Sequence, residues 1–215
     1  MKATIVYGGL FGDEAKGATV DYLTALFGAT VNVRFNGGAQ AAHNVITPNG
    51  IHHTFHQFGS GTFAGASTYL GPKVIFDPYA YTKEAAELER LAIRTIGRMI
   101  VDEECLVVTP YQIVASQNWV QRNPGMTTGM GIWEAQDYAR QFPDQAIRAK
   151  DLHNLRALLE KLTYMAAYYK HECNWDSDAP RVIAEYFMKV SDFVTVMETS
   201  IARQFLAEQD HVIFE

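Results

Sequence analysis

Two glycine-rich stretches carry the residue types that handle phosphate. The first, Gly8 to Gly17, reads GGLFGDEAKG and sets Asp13, Glu14 and Lys16 among glycines. A turn of this kind ahead of a helix presents backbone N–H groups and a helix N-terminus to an anion, and Lys16 adds a full positive charge where phosphate oxygens would sit. The ordinary P-loop pattern GxxxxGK[ST] is not met, because Ala15 precedes the lysine and Gly17 follows it. Taken alone, the stretch reads equally as a tight strand-to-helix turn with three solvated charges. The second, Asn36 to Asn44, reads NGGAQAAHN and holds His43 among small residues. A satisfied loop histidine is the alternative for His43.

The elements around these stretches would bring them together. Ala3 to Tyr7 is short, β-branched and aromatic, as a buried strand should be, and Ala18 to Phe27 spaces its apolar residues on one helical face before Gly28 stops it. A second strand runs from Thr30 to Phe35 and empties into the Asn36–Asn44 loop. In an open parallel sheet the loops at the carboxyl ends of strands face the ligand crevice, so both stretches line one site. Further on, the pattern predicts a helix from Tyr81 to Arg98, a strand over Leu106–Thr109, a helix from Leu152 to His171 and a long helix from Pro180 to about Ala207. Asp176 and Asp178 read as turn residues. His211 to Glu215 closes as a buried-type strand. The expected fold class is α/β, a P-loop-NTPase-like, mainly parallel sheet flanked by helices, with a mainly helical insertion around residues 80–207.

Composition narrows the partners. The chain has 215 residues, 48% hydrophobic and 20% charged, enough for one globular body with a core. A net charge of −6 argues against a nucleic-acid partner and leaves room for a small phosphorylated ligand. Cys105 and Cys173 lie far apart without metal-type spacing, which speaks against a disulfide framework or zinc site. Neither a signal peptide nor a membrane-spanning apolar run is evident, so the expectation is a cytoplasmic protein, in a host cytoplasm if phage-encoded.

At this point several blocks resemble one family. Phe11–Gly17 resembles the WGDEGKG motif of adenylosuccinate synthetases, and Asn36–Asn44 is similar to their GGHNAGHT loop. His53–Gly61 resembles their HLxPSGI segment, Tyr69–Pro78 their IGNGVVxxP segment, Gly125–Ile132 their GTTGRGIGP loop and Ile147–Leu152 their LRVGDL. Six blocks fall in the right order and cover most of the chain. The resemblance implies a ligase that joins a 6-oxopurine nucleotide to L-aspartate with Mg²⁺ and the γ-phosphate of a nucleoside triphosphate. It implies Asp13 as the base that takes the N1 proton and as a metal ligand, and His43 as the group that stabilises charge on the phosphoryl bridge. Gly12, Glu14, Ala15, Lys16 and Gly17 would bind phosphate, Gln40, Thr127 and Thr128 the substrate nucleotide, and the backbone at Ala42 the metal. It also implies a homodimer.

The chain departs from the family pattern at several of these places. Ala39 and Gln40 stand where the family has His and Asn, Ala42 and Ala15 replace glycines, and Met130 replaces an arginine. A reshaped pocket of this sort resembles the divergent phage branch, some of whose members take dGMP in place of IMP. Those members carry a small residue where this chain has Asp13, so IMP and dGMP both stay open, as do GTP and ATP. Val212–Glu215 resembles the opening of the family's VMFEGAQG segment. The expectation is therefore that the remaining part of the fold lies further along the same gene or on a second polypeptide. A nucleotide-binding module without turnover is the competing reading, and an unrelated small P-loop kinase or GTPase a third.

Overall fold

The computed structural model describes residues 2–10, 12–125, 127–173 and 175–215. β1 (Lys2–Ile5) runs through the glycine turn into α1 (Lys16–Phe27), and β2 (Val31–Arg34) follows. A hairpin of β3 (His43–Ile46) and β4 (His52–Phe55) leads to β5 (Ser67–Leu70), β6 (Ile75–Phe76) and α2 (Pro78–Arg90). Next come β7 (Met99–Asp102), β8 (Leu106–Val107), α3 (Pro110–Arg122), α4 (Ile132–Gln141) and α5 (Leu155–Tyr168). The chain then passes through α6 (Ala179–Ser191), β9 (Thr195–Met197), α7 (Thr199–Ala207) and β10 (His211–Phe214).

Six strands form one parallel sheet in the order β1-β10-β2-β5-β7-β9. β10 is inserted between β1 and β2, with Ile213 opposite both Thr4 and Asn32. One face of the sheet is covered by α1, whose Val20 packs with Ala29 and Ile213. The other is covered by α7, whose Ala202 packs with Val31, Val33, Ile100 and Val212. Parallel strands buried on both faces read as continuous apolar runs, and β10 does. The larger core lies among the helices and includes Phe55, Phe58, Phe76, Leu88, Leu158, Leu162 and Phe187.

Local chemistry sets the helix ends. Gly28, at φ 60°, ends α1 in the left-handed conformation that favours glycine. Asp77 caps α2, its carboxylate accepting from the N–H groups of Tyr79 and Ala80 at 2.9 and 3.0 Å, with Pro78 in the first turn. The Asn154 side chain accepts from Ala157 N–H at 3.1 Å and opens α5. Buried Asn32 ties three elements, donating to Thr24 Oγ1 of α1 at 3.0 Å and accepting from Gly61 N–H at 2.6 Å.

Four expectations need correction. The first strand is Lys2–Ile5 and not buried: it is the sheet edge, with Ile5 63% exposed. α2 ends at Arg90 because the chain turns at Ala92, φ 60°, short of Arg98. The long helix from Pro180 is two helices, α6 and α7, with the sheet strand β9 between them. Finally, Leu152 to His171 begins its helix only at Leu155 and ends it at Tyr168. The insertion over 80–207 holds α2 to α7 together with the short strands β7, β8 and β9.

Candidate functional site

The glycine turn is braced from within. Glu14 folds back so that Oε1 accepts from Leu10 N–H at 2.6 Å and Oε2 lies 3.6 Å from Lys16 Nζ. A Cβ at Gly8 would fall 2.0 Å from Glu14 Oε2, so a larger residue there would push the Glu14 side chain out of this position. Gly12, Asp13 and Ala15 have φ of 108°, 54° and 56°, and Asp13 is exposed. Ala15 therefore holds a left-handed conformation that costs an alanine about 1 kcal/mol, at the position where the motif it resembles has glycine.

Two close approaches bring the other segments to this turn. A Cβ on Gly17 would lie 2.9 Å from His43 Cβ and 3.1 Å from Asn44 O, so the first turn of α1 rests directly on β3. A Cβ on Gly38 would lie 2.6 Å from Ile132 Cδ1, so the Asn36–Asn44 loop rests on the start of α4, just after Thr127 and Thr128. The same loop is pinned by the Ile75 N–H to Gly37 O bond of 2.8 Å. Gln40 Oε1 is buried in it with no hydrogen-bond partner among the described residues. Ala42, Thr127 and Thr128 are exposed. Phe11 lies outside the described residues.

Behind His43 sits a pair of residues to which the sequence reading assigned no role. Glu215, at the end of β10, has a fully buried side chain. Its Oε2 accepts from His43 Nδ1 at 3.0 Å and from Ser60 Oγ at 2.6 Å, while Oε1 accepts from Ser60 N–H at 2.9 Å. Burial pushes the Glu215 carboxyl up, but the His43 hydrogen bond, the Arg34 guanidinium, the His43 charge and Ser60 outweigh it and hold the group below its ordinary value. An ionised Glu215 accepts from Nδ1 and so favours the Nδ1–H tautomer of His43, leaving Nε2 outside this contact. The sequence signals for Glu215 are an acid that ends an apolar strand and the resemblance of Val212–Glu215 to VMFE, neither of which places it behind His43.

A family model described as adenylosuccinate synthetase matches residues 5–215. The chain belongs to the adenylosuccinate synthetase family. The adenylosuccinate synthetase of Neisseria gonorrhoeae is 32% identical over 207 residues, 90% of this chain and 45% of that protein. The Haemophilus influenzae enzyme is 29% identical over 225 residues, all of this chain and 51% of its own length. The chain thus spans about half the length of the curated relatives it matches. Fully ligated adenylosuccinate synthetase from Plasmodium falciparum shares the fold with a TM-score of 0.76 at 18% identity, over 99% of this chain and half of its own. The succinoaminodeoxyadenylate synthetase of cyanophage S-2L, bound to dGMP and to dATP as energy donor, gives 0.70 at 16% identity over all of this chain and half of its own. Adenylosuccinate synthetases are ligases of purine biosynthesis, and the parallel sheet with flanking helices is their fold.

The described residues hold no cluster of three or more His, Cys, Asp or Glu side chains that could cage a metal. Asp13 is one exposed carboxylate on the glycine turn, a donor of the kind Mg²⁺ takes, since that ion binds one or two carboxylates and completes its shell with phosphate oxygens and water. Among the described residues no helix is long and apolar enough to cross a membrane.

Proposed function

We propose that this chain carries the phosphoryl-transfer site of a purine-nucleotide:L-aspartate ligase, acting on IMP or dGMP with GTP or ATP as donor. The observation that carries the reading is the His43–Glu215–Ser60 contact set directly against the first turn of the glycine-turn helix, with Asp13 on that turn.

In this reading the Asp13 carboxylate takes the N1 proton of the purine and drives electron density onto the 6-oxygen, which attacks the γ-phosphorus as the nucleoside diphosphate leaves. His43, held by Glu215, stabilises the charge that develops on the bridging oxygen. Lys16 and the N–H groups of Gly12, Ala15 and Gly17 neutralise the phosphate oxygens, and Glu14 keeps Lys16 and the turn in shape. Gln40 Oε1, buried without a partner, accepts a donor from the substrate, and Thr127 and Thr128 offer hydroxyls to its phosphate. The aspartate amine then displaces phosphate from C6. Asp13 and the carbonyl of Ala42 would hold Mg²⁺, which would supply neutralisation of phosphate charge.

Residues 1–215 form the N-terminal part of this ligase, with the helical stretch 80–207 as an insertion, in a cytoplasmic homodimer. The aspartate-binding half comes from the same gene or from a second chain. Nucleotide binding without turnover is the second reading.

The test is phosphate release by the complete gene product with Mg²⁺ and L-aspartate, pairing IMP or dGMP with GTP or ATP. Aspartate-dependent release with one purine is expected, falling at least about a hundredfold in Asp13→Ala and His43→Ala. Nucleotide binding with no release under any pairing would leave only the binding module.

A further inference from the structure

The stretch from His56 to Phe58 lies inside the molecule without belonging to a helix or strand, so its backbone N–H groups need partners other than a ladder. Glu84 of α2, only 2% exposed, supplies them. Its Oε1 accepts from His56 N–H at 3.0 Å, and its Oε2 from Gln57 N–H at 2.6 Å and Phe58 N–H at 3.3 Å. The start of the same helix reaches the stretch again, with Asp77 N–H donating to Gln57 Oε1 at 2.9 Å. From the sheet side the Arg34 guanidinium donates to His56 O. One buried carboxylate thus fixes three consecutive N–H groups.

His56 passes this constraint to the substrate loop. Its Nδ1–H donates to Ala39 O at 3.0 Å, and Ala39 immediately precedes Gln40 in the Asn36–Asn44 loop. The nearest other backbone ties of that loop are Ile75 N–H to Gly37 O at 2.8 Å and the turn bond from Ala41 N–H to Gly38 O at 3.1 Å. The far end of the stretch is secured separately. Gly59 N–H donates to Thr68 Oγ1 at 2.8 Å, and Ser60 is held on Glu215, so the support of His43 does not run through Glu84. Among the described residues neither Glu84 nor His56 has a hydrogen bond to the glycine turn.

We propose that Glu84 is a positioning residue for the purine nucleotide: it fixes His56, His56 holds the Ala39 carbonyl, and this sets where Gln40 meets the substrate. The proposal rests on the ligase reading for the identity of that substrate. The contacts divide the consequences. Loosening this chain should weaken the purine site and leave both the donor site on the glycine turn and the chemistry at His43 in place.

Glu84→Gln keeps the shape, but three N–H groups point at two oxygens, so whichever way the carboxamide turns at least one N–H meets an NH₂. On the complete gene product this variant should raise the KM of the purine monophosphate about tenfold, with kcat and the KM of the triphosphate each within about threefold of the parent. His56→Ala should do the same. His56→Asn should restore most of the loss, because its Nδ2 can donate from about the place of the imidazole Nδ1. A merely structural role would lower the active fraction, and so kcat, with KM unchanged. That result, or a His56→Asn protein no better than His56→Ala, would overturn the proposal, and the His56 pair carries the test if Glu84→Gln does not fold. Hydrogen exchange of the ligand-free protein reads the same contact without turnover. The amides of residues 36–44 should exchange faster in Glu84→Gln and His56→Ala, and those of residues 8–17 at the parent rate. Unchanged exchange over 36–44 would also overturn the proposal. Absence of phosphate release by the parent would sink the ligase reading alone and leave the exchange measurement to decide whether Glu84 positions the loop.

Discussion

Glu215 and His43 carry the most testable chemistry at the scale of single residues. The carboxyl of Glu215 is held below its ordinary value of 4.5 in the folded chain, despite burial, by His43, Arg34 and Ser60. The sign follows from proton linkage: a depressed folded value means that the unfolded chain binds the proton more readily, so this group stabilises the fold above pH 4.5. That contribution is lost as the pH falls through 4.5 and on through the lower folded value. Glu215→Gln should therefore be less stable than the parent at pH 7, by roughly 1–3 kcal/mol for a buried, charge-assisted set of hydrogen bonds. The gap should close as the pH is lowered. Urea unfolding of both proteins from pH 7 to pH 3 checks this, and parallel stability curves would show that the carboxylate is not what holds His43 and Ser60 together.

Among the elements, the packing of α1 on β3 decides whether the turn and His43 form one site. A methyl group on Gly17 would press on His43 Cβ at 2.9 Å and on the β3 backbone at 3.1 Å, none of which is the free end of a flexible side chain. Gly17→Ala should cost about 1–3 kcal/mol by overpacking and should displace His43 from the turn. Thermal unfolding together with the phosphate-release assay would record both losses, and an unchanged melting point would mean that the two elements sit further apart. How much of this could be read from sequence divides along the same line. The strand-turn-helix unit was legible because Gly28 and the apolar spacing of α1 are local signals, and β10 because His211–Phe214 is a short apolar run. The split of residues 180–207 was not. β9 has three residues, too few to show a period, and its partner β7 lies almost a hundred residues earlier. The edge position of β1 was hidden for a similar reason, since β-branched composition marks a strand but not its place in the sheet. Asp13, Lys16 and His43 stood out by type and spacing. Ser60 and Glu215 did not, because only the insertion of β10 between β1 and β2 brings them behind His43.

For the whole molecule, the unequal edges of the sheet are the telling feature. β9, at one edge, is short and leads directly into α7. β1, at the other, pairs only with β10; its last residue, Ile5, is 63% exposed and Tyr7 just beyond it 78%. Tyr22 and Leu26 of α1 are exposed too. All-parallel sheets are normally covered, and an exposed apolar edge strand is a template for pairing with another chain. Nothing among the described residues of β1 guards the edge with proline, and its one charge, Lys2, stands at the far end from Ile5. The 215-residue chain on its own should therefore associate through β1, so that light scattering gives a mass above 24.1 kDa that rises with concentration. Ile5→Lys places a charge where a new strand would pair, and should bring the mass back toward that of one chain. Because Ile5 is exposed, the substitution should move the unfolding free energy by no more than about 0.5 kcal/mol. A mass unaffected by Ile5→Lys would move the contact to another face of the molecule, and the edge would then have to be protected by the chain's own charge of −6 rather than by a neighbour.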